Sequence, residues 1–135
     1  MAGNIQLEIV TPEKEVVKEE AQIVVAPGEL GDFGVLVGHT SFMTTLKTGT
    51  LRYTDAKGQE RQVFVSGGFA EALPEKVTIL AESAERRKDI DLERAKSALE
   101  RAQKRLEEHR QDLDFTRAKA ALERAIHRIR IASSR

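Results

Sequence analysis

Residues 66–95, SGGFAEALPEKVTILAESAERRKDIDLERA, decide the fold, because the chain loses its backbone breakers within this stretch. Gly68 is the last of nine glycines and Pro74 is the last of three prolines, so residues 75–135 contain neither. Sequence punctuated by Gly and Pro is typical of short strands joined by turns, whereas sequence rich in Ala, Glu, Arg and Lys is typical of exposed helices. We therefore predict an α+β protein with strands first and helices last, not an alternating β-α-β enzyme core.

The part before this stretch is predicted to contain eight or more short strands. Separate strands are expected at Asn4–Val10, Val16–Val17 and Gln22–Ala26, among others. Residues 54–59 read as a hairpin loop that pairs Gln62–Val65 with Leu51–Tyr53. Short strands at this spacing favour a sandwich or barrel, so residues 1–84 are predicted to form an N-terminal antiparallel β-sandwich or flattened barrel.

The part after this stretch has helical periodicity. The first apolar stripe consists of Leu92, Ala95, Ala98, Leu99, Ala102 and Leu106, and the second of Phe115, Ala118, Leu122, Ala125 and Ile129. Asp89 or Asp91 is expected to cap the first helix, and residues 108–111 to form the loop. Narrow, alanine-rich stripes suit close antiparallel helices, so residues 85–135 are predicted to form a C-terminal antiparallel two-helix hairpin. Helices of this length are marginal alone in water, so we expect the hairpin to depend on docking or on a ligand.

The two parts carry opposite net charges, although the chain as a whole has 22 basic and 22 acidic residues. Residues 1–83 hold 7 Lys/Arg and 12 Asp/Glu, a net charge of −5, and residues 84–135 hold 15 and 10, a net charge of +5. The helical part can therefore attract nucleic acid, a nucleotide or an acidic protein surface, or it can favour docking on the acidic strands.

Composition excludes several classes of protein. The chain has no cysteine, which excludes a disulfide framework and thiolate chemistry. The N-terminus MAGNIQLEIV lacks a basic region followed by a long apolar run, so a signal peptide is not expected. No stretch approaches 18 apolar residues, so direct membrane insertion is not expected either.

The sequence contains no recognisable catalytic or metal-binding motif. It lacks the P-loop, the dinucleotide-binding G-x-G-x-x-G, the H-E-x-x-H zinc motif and the G-x-S-x-G nucleophile elbow. Its three histidines, His39, His109 and His127, are far apart in the sequence. We therefore predict no catalytic residue, no metal site and no required cofactor, and we do not expect the chain alone to be an enzyme.

Three features have both a structural and a functional interpretation. The loop Gly28–Thr40 is either a structural turn or a contact loop on a rigid scaffold. Residues Ile90–Ala95 are either a capped helix start or part of a binding motif. Arg117, Arg124 and Arg128 lie at i, i+7 and i+11, on one side of one helix, and are either a solvated face or a grip for carboxylates or phosphates.

Three segments of the chain resemble the epsilon subunit of bacterial F-type ATP synthases. They are Gly31–Thr40 (GDFGVLVGHT), Leu46–Gly49 (LKTG) and Val65–Glu71 (VSGGFAE). Their order and spacing match the family over the full length of the chain. One departure is at Val37–Ser41, VGHTS, where the family usually has Pro-Gly-His-Ala-Pro, so two stiffening prolines are missing.

The resemblance implies a non-catalytic rotor subunit with a β-sandwich and a helical hairpin. The sandwich would bind the gamma subunit and sit on the ring of c subunits, and it would couple proton or sodium flow to ATP synthesis. The family's glycine-rich loop touches the c-ring, which carries over to Asp32, Gly38 and His39. The resemblance further implies a peripheral position on the cytoplasmic face of the bacterial plasma membrane.

The resemblance also implies a regulatory role for the hairpin. In the family the hairpin can extend along gamma into the catalytic head, where it blocks ATP hydrolysis and its basic helix meets an acidic stretch of the beta subunit. The residues that carry this contact over are Arg117, Lys119, Arg124 and Arg128.

Some members of the family bind ATP at the hairpin as a regulatory ligand, which holds the hairpin folded and non-inhibitory. Their motif, I/L-D-x-x-R-A, is matched here by residues 90–95. The residues implied in ATP binding are Glu85, Ile90, Asp91, Arg94, Ala95, Arg101, Arg124 and Arg128.

The alternative to a rotor subunit is a stand-alone module that binds nucleic acid or a nucleotide. The net charge of the helical part allows it. However, Phe115 is the only aromatic residue in that part, and ten acidic residues interrupt any continuous phosphate track. We therefore do not expect nucleic acid as a partner.

Overall fold

Nine β-strands precede two α-helices in the computed structural model, which describes residues 3–108 and 112–134 without the side chains of 112–114. The strands are β1 (Ile5–Val10), β2 (Glu15–Gly28), β3 (Gly31–Val35), β4 (Phe42–Thr45), β5 (Gly49–Asp55), β6 (Glu60–Ser66), β7 (Phe69–Ala72), β8 (Lys76–Leu80) and β9 (Ser83–Arg86). A short 3-10 turn (Arg87–Asp89) leads to α1 (Leu92–Glu107) and α2 (Asp112–Ser133). The prediction of strands first and helices last is confirmed.

The strands form one continuous sheet that folds into a sandwich. Their order is β4-β7-β8-β1-β2-β5-β6-β9, with β3 paired to β2. The described pairs are antiparallel, as predicted, apart from β1 and β8, which run parallel. The predicted hairpin is confirmed, since Val63 lies opposite Leu51 and Gln62 lies opposite Arg52.

The 14-residue strand β2 belongs to both halves of the sheet. Its first part pairs with β1 up to Ala21, and its second part pairs with β5 and β3. The register with β5 shifts between Ala21 and Ile23, and such a bulge bends and twists a strand. The prediction of separate short strands at 16–17 and 22–26 is wrong, because both segments lie within this one bent strand.

A single apolar core fills the interior of the sandwich. β1 shows the pattern most clearly: Ile5, Leu7 and Ile9 are fully buried, and they alternate with partly exposed residues. Side chains such as Leu51 and Ile79 join the same cluster from other strands. Burying one large aliphatic side chain is worth about 1.5–3 kcal/mol, so these contacts dominate the stability of this unit.

Gly68, between β6 and β7, occupies a position where a side chain does not fit. Its φ of 106° lies in a region that L-residues rarely adopt, and a Cβ there would overlap the carbonyl oxygen of Leu80. Its own carbonyl oxygen accepts the N–H of Leu46 at 2.9 Å. The glycine pair in the sequence therefore marks a close approach of three backbone segments.

The strand part extends beyond Ala84, where the sequence interpretation placed its last residue. β9 continues to Arg86, with Glu85 opposite Phe64 and Arg86 opposite Val63. The compact units are Met1–Arg87 and Lys88–Arg135. The polar edge strand has no apolar alternation that would reveal it in the sequence.

The two helices pack against each other along the predicted stripes. Asp91 is the N-cap of α1, and its carboxylate accepts the N–H of Arg94 at 3.1 Å. In α1, the six predicted stripe residues are buried or partly buried, and the other residues of the helix are exposed. In α2, Ala118 and Ala125 are buried. Phe115 is an exception: it was placed on the second stripe but is 46% exposed. Most of the predicted loop, residues 109–111, lies outside the described residues.

Neither of the described helices is long and apolar enough to cross a membrane.

Candidate functional site

Four Arg-Ala dipeptides define one face of the hairpin. They are Arg94-Ala95, Arg101-Ala102, Arg117-Ala118 and Arg124-Ala125. All four alanines are buried, with exposures of 4%, 2%, 1% and 1%. They form the seam between the helices, because alanine allows a close approach of two helix backbones. Each arginine precedes its alanine by one residue and is therefore turned about 100° away from the seam.

The arginines of α1 and α2 lie on the same face. Two packed helices joined by a short connection run antiparallel. Such a pair is related by an approximate two-fold axis perpendicular to the plane of the two helices. The rotation that takes α1 onto α2 preserves the direction of that axis. A residue that precedes a seam alanine therefore falls on the same side of the plane in both helices.

The arginines are also paired in height along the hairpin. Because α1 ends at Glu107 and α2 begins at Asp112, an antiparallel arrangement puts Ala95 about level with Ala125 and Ala102 about level with Ala118. The two levels are seven residues apart, or about 10 Å at 1.5 Å per residue, and packed helix axes are about 8–10 Å apart. The four arginine side chains therefore start from the corners of a square about 10 Å on a side. We call this surface the arginine face.

The arginine face has further members. Arg128 lies one turn after Arg124, and Asp91 lies near the level of Arg128. Arg105 lies one turn after Arg101 and is exposed. Sequence reasoning missed Arg105, although its i+4 spacing from Arg101 was a usable signal.

Among the described residues of α1, the side chains of Arg94, Arg101 and Arg105 take part in no ion pair. Among the described residues, the ion pair of α1 is Glu93 with Lys96 at 3.9 Å. By helical rotation this pair lies on the opposite flank, where Glu100 and Glu107 continue the spacing of Glu93. The arginines of α1 and its three glutamates at 93, 100 and 107 thus lie on different flanks, and Lys96 accompanies the glutamates. A dense array of guanidinium groups suits phosphates or carboxylates.

The structure brings most of the predicted ATP-binding residues together on the hairpin. Asp91, Arg94, Arg101, Arg124 and Arg128 belong to the arginine face, Ala95 is a seam residue beside it, and Ile90 directly precedes the N-cap. Arg94 and Arg101 are exposed, whereas Arg124 and Arg128 are partly buried. Glu85 lies in β9, in the other compact unit.

The predicted contacts with a beta subunit are divided between two flanks of α2. Arg117, Arg124 and Arg128 share the arginine face. Lys119 is two residues after Arg117, or about 200° around the helix, and is exposed on the opposite flank. A partner held by the arginines would therefore not touch Lys119 at the same time.

The predicted c-ring contacts lie at the two ends of β3. Asp32 is near the start of β3, and its carboxylate is 3.8 Å from the guanidinium of Arg52. Gly38 and His39 follow the end of β3, and five residues of strand span about 17 Å. The predicted contacts therefore lie at two separate points of the loop.

Hydrogen bonds stabilise the segment of Gly38 and His39, although it lacks the two prolines that the resembling family usually has there. Gly38 adopts a φ of 84° and donates its N–H to the carbonyl of Pro74 at 2.6 Å. The N–H of His39 reaches the carbonyl of Leu36 at 3.1 Å, and its ring packs edge-on against Phe42, with ring centroids 5.1 Å apart. The loop is thus held by a hydrogen bond to the turn between β7 and β8 and by contacts among nearby residues.

An exposed apolar row lies on the outer side of β7 and β8. It consists of Phe69 of β7 and Leu80 of β8, which are opposite each other, and Thr45 of β4 and the partly buried Val10 of β1 flank it in register. Phe69 and Leu80 are each 52% exposed, and Met43, two residues before Thr45, is 68% exposed. Sequence reasoning missed this row, because an isolated strand does not show which neighbours complete it.

No group of three or more His, Cys, Asp or Glu side chains within the described residues is arranged to hold a metal ion.

Comparison with known proteins covers nearly the whole chain. Residues 4–87 match the family described as ATP synthase, Delta/Epsilon chain, beta-sandwich domain. Residues 88–133 match the family described as ATP synthase, Delta/Epsilon chain, long alpha-helix domain. The ATP synthase epsilon chain of Desulforapulum autotrophicum is 60% identical over 135 residues, covering 100% of both chains. The ATP synthase epsilon chain of Desulfatibacillum aliphaticivorans is 67% identical over 107 residues, 79% of this chain and 76% of that one.

Solved structures agree with the sequence comparisons. A chain of the Euglena gracilis mitochondrial ATP synthase, in an OSCP/F1/c-ring structure, matches with a TM-score of 0.78 and 26% identity over 89% of this chain and 76% of that chain. A chain of the Tetrahymena thermophila mitochondrial ATP synthase, in a central stalk/c-ring structure, shares the fold with a TM-score of 0.61 and 12% identity over 98% of both chains. The resemblance read from the sequence is thereby confirmed: the chain belongs to the epsilon-chain family of ATP synthases, whose members are non-catalytic subunits of the complex.

Proposed function

We propose that this epsilon chain is a rotor subunit of the central stalk, which couples ion flow to ATP synthesis and regulates ATP hydrolysis through its hairpin. The full-length similarity to epsilon chains supports the rotor role. The arginine face carries the regulatory part of the proposal, because such an array on a two-helix element is a site for anions.

Two kinds of anion fit the arginine face. ATP would place its phosphates among the arginines of both helices, and the second carboxylate oxygen of Asp91 would accept a hydrogen bond from the ribose or the adenine. An acidic stretch of the beta subunit would use Arg117, Arg124 and Arg128 when the hairpin extends. Since both need the same guanidinium groups, each ligand excludes the other, and their binding is negatively coupled.

ATP would act by stabilising the folded hairpin. The seam is built mainly of alanine, so it buries little area, and bridging two such helices adds stability that they lack by themselves. Ligand at 100 times its Kd stabilises the bound form by about 2.7 kcal/mol. That is enough to bias an element whose two arrangements differ by a few kcal/mol.

The sandwich offers separate surfaces for gamma and for the c-ring. The exposed apolar row of Phe69 and Leu80 fits gamma, because lasting subunit interfaces have apolar centres. Asp32, Gly38 and His39 are polar or small, and they fit the c-ring as the two contact points of the β3 loop. Co-purification tests this assignment: Phe69→Asp should release gamma, whereas Asp32→Ala should leave gamma bound and weaken the c-ring contact.

A peripheral position on the cytoplasmic face of the bacterial plasma membrane follows from this role. The related chains are subunits of a membrane-bound complex, so gamma and the c-ring would hold the chain at the membrane.

The regulatory proposal is tested with the double variant Arg124→Ala/Arg128→Ala. Isothermal titration with Mg-ATP should show at least tenfold weaker binding than the wild type, because each charge-assisted contact is worth about 1.5–3 kcal/mol. Inhibition of ATP hydrolysis in the reconstituted complex should fall as well. Arg130→Ala is the matched control, since Arg130 is an exposed arginine of α2 on the opposite flank.

Each outcome bears on one part of the proposal. No heat from wild-type protein at millimolar ATP would reject ATP as the ligand. Unchanged inhibition by the double variant would reject the arginine contact with beta. The alternative of a nucleic-acid-binding module has little support, because Phe115 lies away from the arginine face and offers it no stacking surface.

A further inference from the structure

The last strand of the sandwich is also the point from which the hairpin departs. β9 has four residues and ends the sheet order, with β6 as its neighbour in the sheet. The 3-10 turn at Arg87–Asp89 follows immediately. A short strand at the end of a sheet is expected to fray more readily than a central strand.

The side chain of Arg86 joins β9 to a strand that is not its neighbour in the sheet. Its Nε donates a hydrogen bond to the carbonyl oxygen of Val16 at 3.0 Å, and its Nη2 lies 3.7 Å from the Glu19 carboxylate. Val16 and Glu19 belong to β2, whereas β9 pairs with β6. Arg86 therefore closes the gap between the end of the sheet order and β2 with a side chain instead of a strand pair.

Glu19 connects this link to the core. Its negative charge also acts on the side chain of Tyr53 on β5, which is 2% exposed. Burial, reinforced by the negative charge of Glu19, raises the pKa of Tyr53 to about 12. The hydroxyl therefore stays protonated at physiological pH. The Glu19 carboxylate thus connects β9 with β2 and β5, which are neighbours in the sheet.

We propose that Arg86 is a positioning residue that holds β9 on β2 and fixes the residue at which the chain leaves the sandwich. Arg87 is exposed and takes no part in the cluster of Arg86, Glu19, Val16 and Tyr53. The connection to the hairpin then begins at Arg87 and ends at the N-cap Asp91. Movement of the hairpin would stop at Arg86 and leave β9 in place. This consequence rests on the regulatory role proposed above, whereas the anchoring itself does not.

Hydrogen exchange of the full-length chain tests the anchor. Arg86→Ala should speed exchange of the β9 amides at least tenfold and leave β1 and β8 unchanged. A residue that only adds general stability would instead accelerate exchange in all strands through global unfolding. Arg87→Ala is the matched control and should leave β9 as in the wild type. Equal β9 exchange in Arg86→Ala and wild type would overturn the proposal.

Two further variants keep the test decisive if Arg86→Ala does not fold. Glu19→Gln removes the charge that Arg86 meets but keeps the shape, and it should give a smaller acceleration confined to β9. Arg86→Lys keeps the charge but loses the two-pronged guanidinium donor. The exchange rate of its β9 amides should therefore lie between those of the wild type and Arg86→Ala. Wild-type exchange in both variants would also overturn the proposal.

Hydrolysis assays separate the anchor from the regulatory role. In the reconstituted complex, Arg86→Ala should change the extent of inhibition of ATP hydrolysis, and Arg87→Ala should not. If the wild-type chain does not inhibit at all, the regulatory proposal fails while the exchange result still decides whether Arg86 anchors β9.

Discussion

The sandwich and the hairpin are stabilised in different ways. The sandwich buries large side chains such as Ile5, Leu7 and Ile79 completely, and its sheet ties distant parts of the chain together. The helices bury four alanines, whose side chains contribute little apolar area, and one large side chain, Ile131. We therefore expect the hairpin to have a smaller margin of stability than the sandwich. That division suits the proposed role, in which the sandwich stays attached to the rotor while the hairpin responds to a ligand.

Truncating the core of the sandwich should give the largest effect. Ile79→Ala removes a fully buried side chain, and such changes cost about 2–5 kcal/mol. Leu80→Ala is the control, because Leu80 is the next residue of the same strand and is 52% exposed, so its cost should stay within about 0.5 kcal/mol. Urea unfolding followed by the fluorescence of Tyr53, the only tyrosine in a chain without tryptophan, reports on this unit alone. Similar midpoints for both variants would contradict the described core.

Enlarging the seam of the hairpin should give the next largest effect. Ala102→Leu inserts three carbon atoms between closely packed helices, and overpacking costs about 1–3 kcal/mol. Because the hairpin is marginal, helical circular dichroism at 222 nm should fall while the Tyr53 unfolding curve stays unchanged. Gln103→Leu adds a leucine at the neighbouring exposed position and should keep the helical signal. Loss of both signals in Ala102→Leu would mean that the two units unfold together.

The division of the chain and the helical stripes could be predicted from the sequence because both depend on local patterns. A period of 3.6 residues repeats over several turns, and it identified all six residues of α1 that are not exposed. The same period placed Phe115 on the second stripe, but its side chain is 46% exposed. Residue type predicted either Asp89 or Asp91 as the N-cap of α1, and in the structure the N-cap is Asp91.

The features that could not be predicted depend on contacts between distant residues. In β2, Lys18, Glu19 and Glu20 interrupt the apolar pattern, so one bent strand looked like two segments. β9 reads SAER, which has no strand character and becomes a strand only because β6 pairs with it. The arginines of α1 and α2 could each be seen on their own helix. That they share one face follows only from the seam alanines.

The ionisation of Asp55, in the loop of the β5–β6 hairpin, should have the smallest effect on stability, and this effect depends on pH. Hydrogen bonds from the backbone N–H groups of Gln59 and Lys57 and from Arg61 lower the pKa of Asp55 below its usual value, the bond from Gln59 contributing most. A carboxyl whose pKa is lower in the folded state stabilises that state above its unfolded pKa of about 4, and this contribution is lost as the pH falls toward the folded pKa. The melting temperature of the wild type should therefore drop between about pH 5 and pH 3 by more than that of Asp55→Asn, which cannot ionise at this position.

Asp32→Asn is the control, since the Asp32 carboxylate lies 3.8 Å from Arg52 in an exposed pair that contributes little. If Asp55→Asn and the wild type lose stability in parallel over this range, the charged form of Asp55 does not hold the loop. The hydrogen bonds of the loop would then contribute no more at neutral pH than they do in acid.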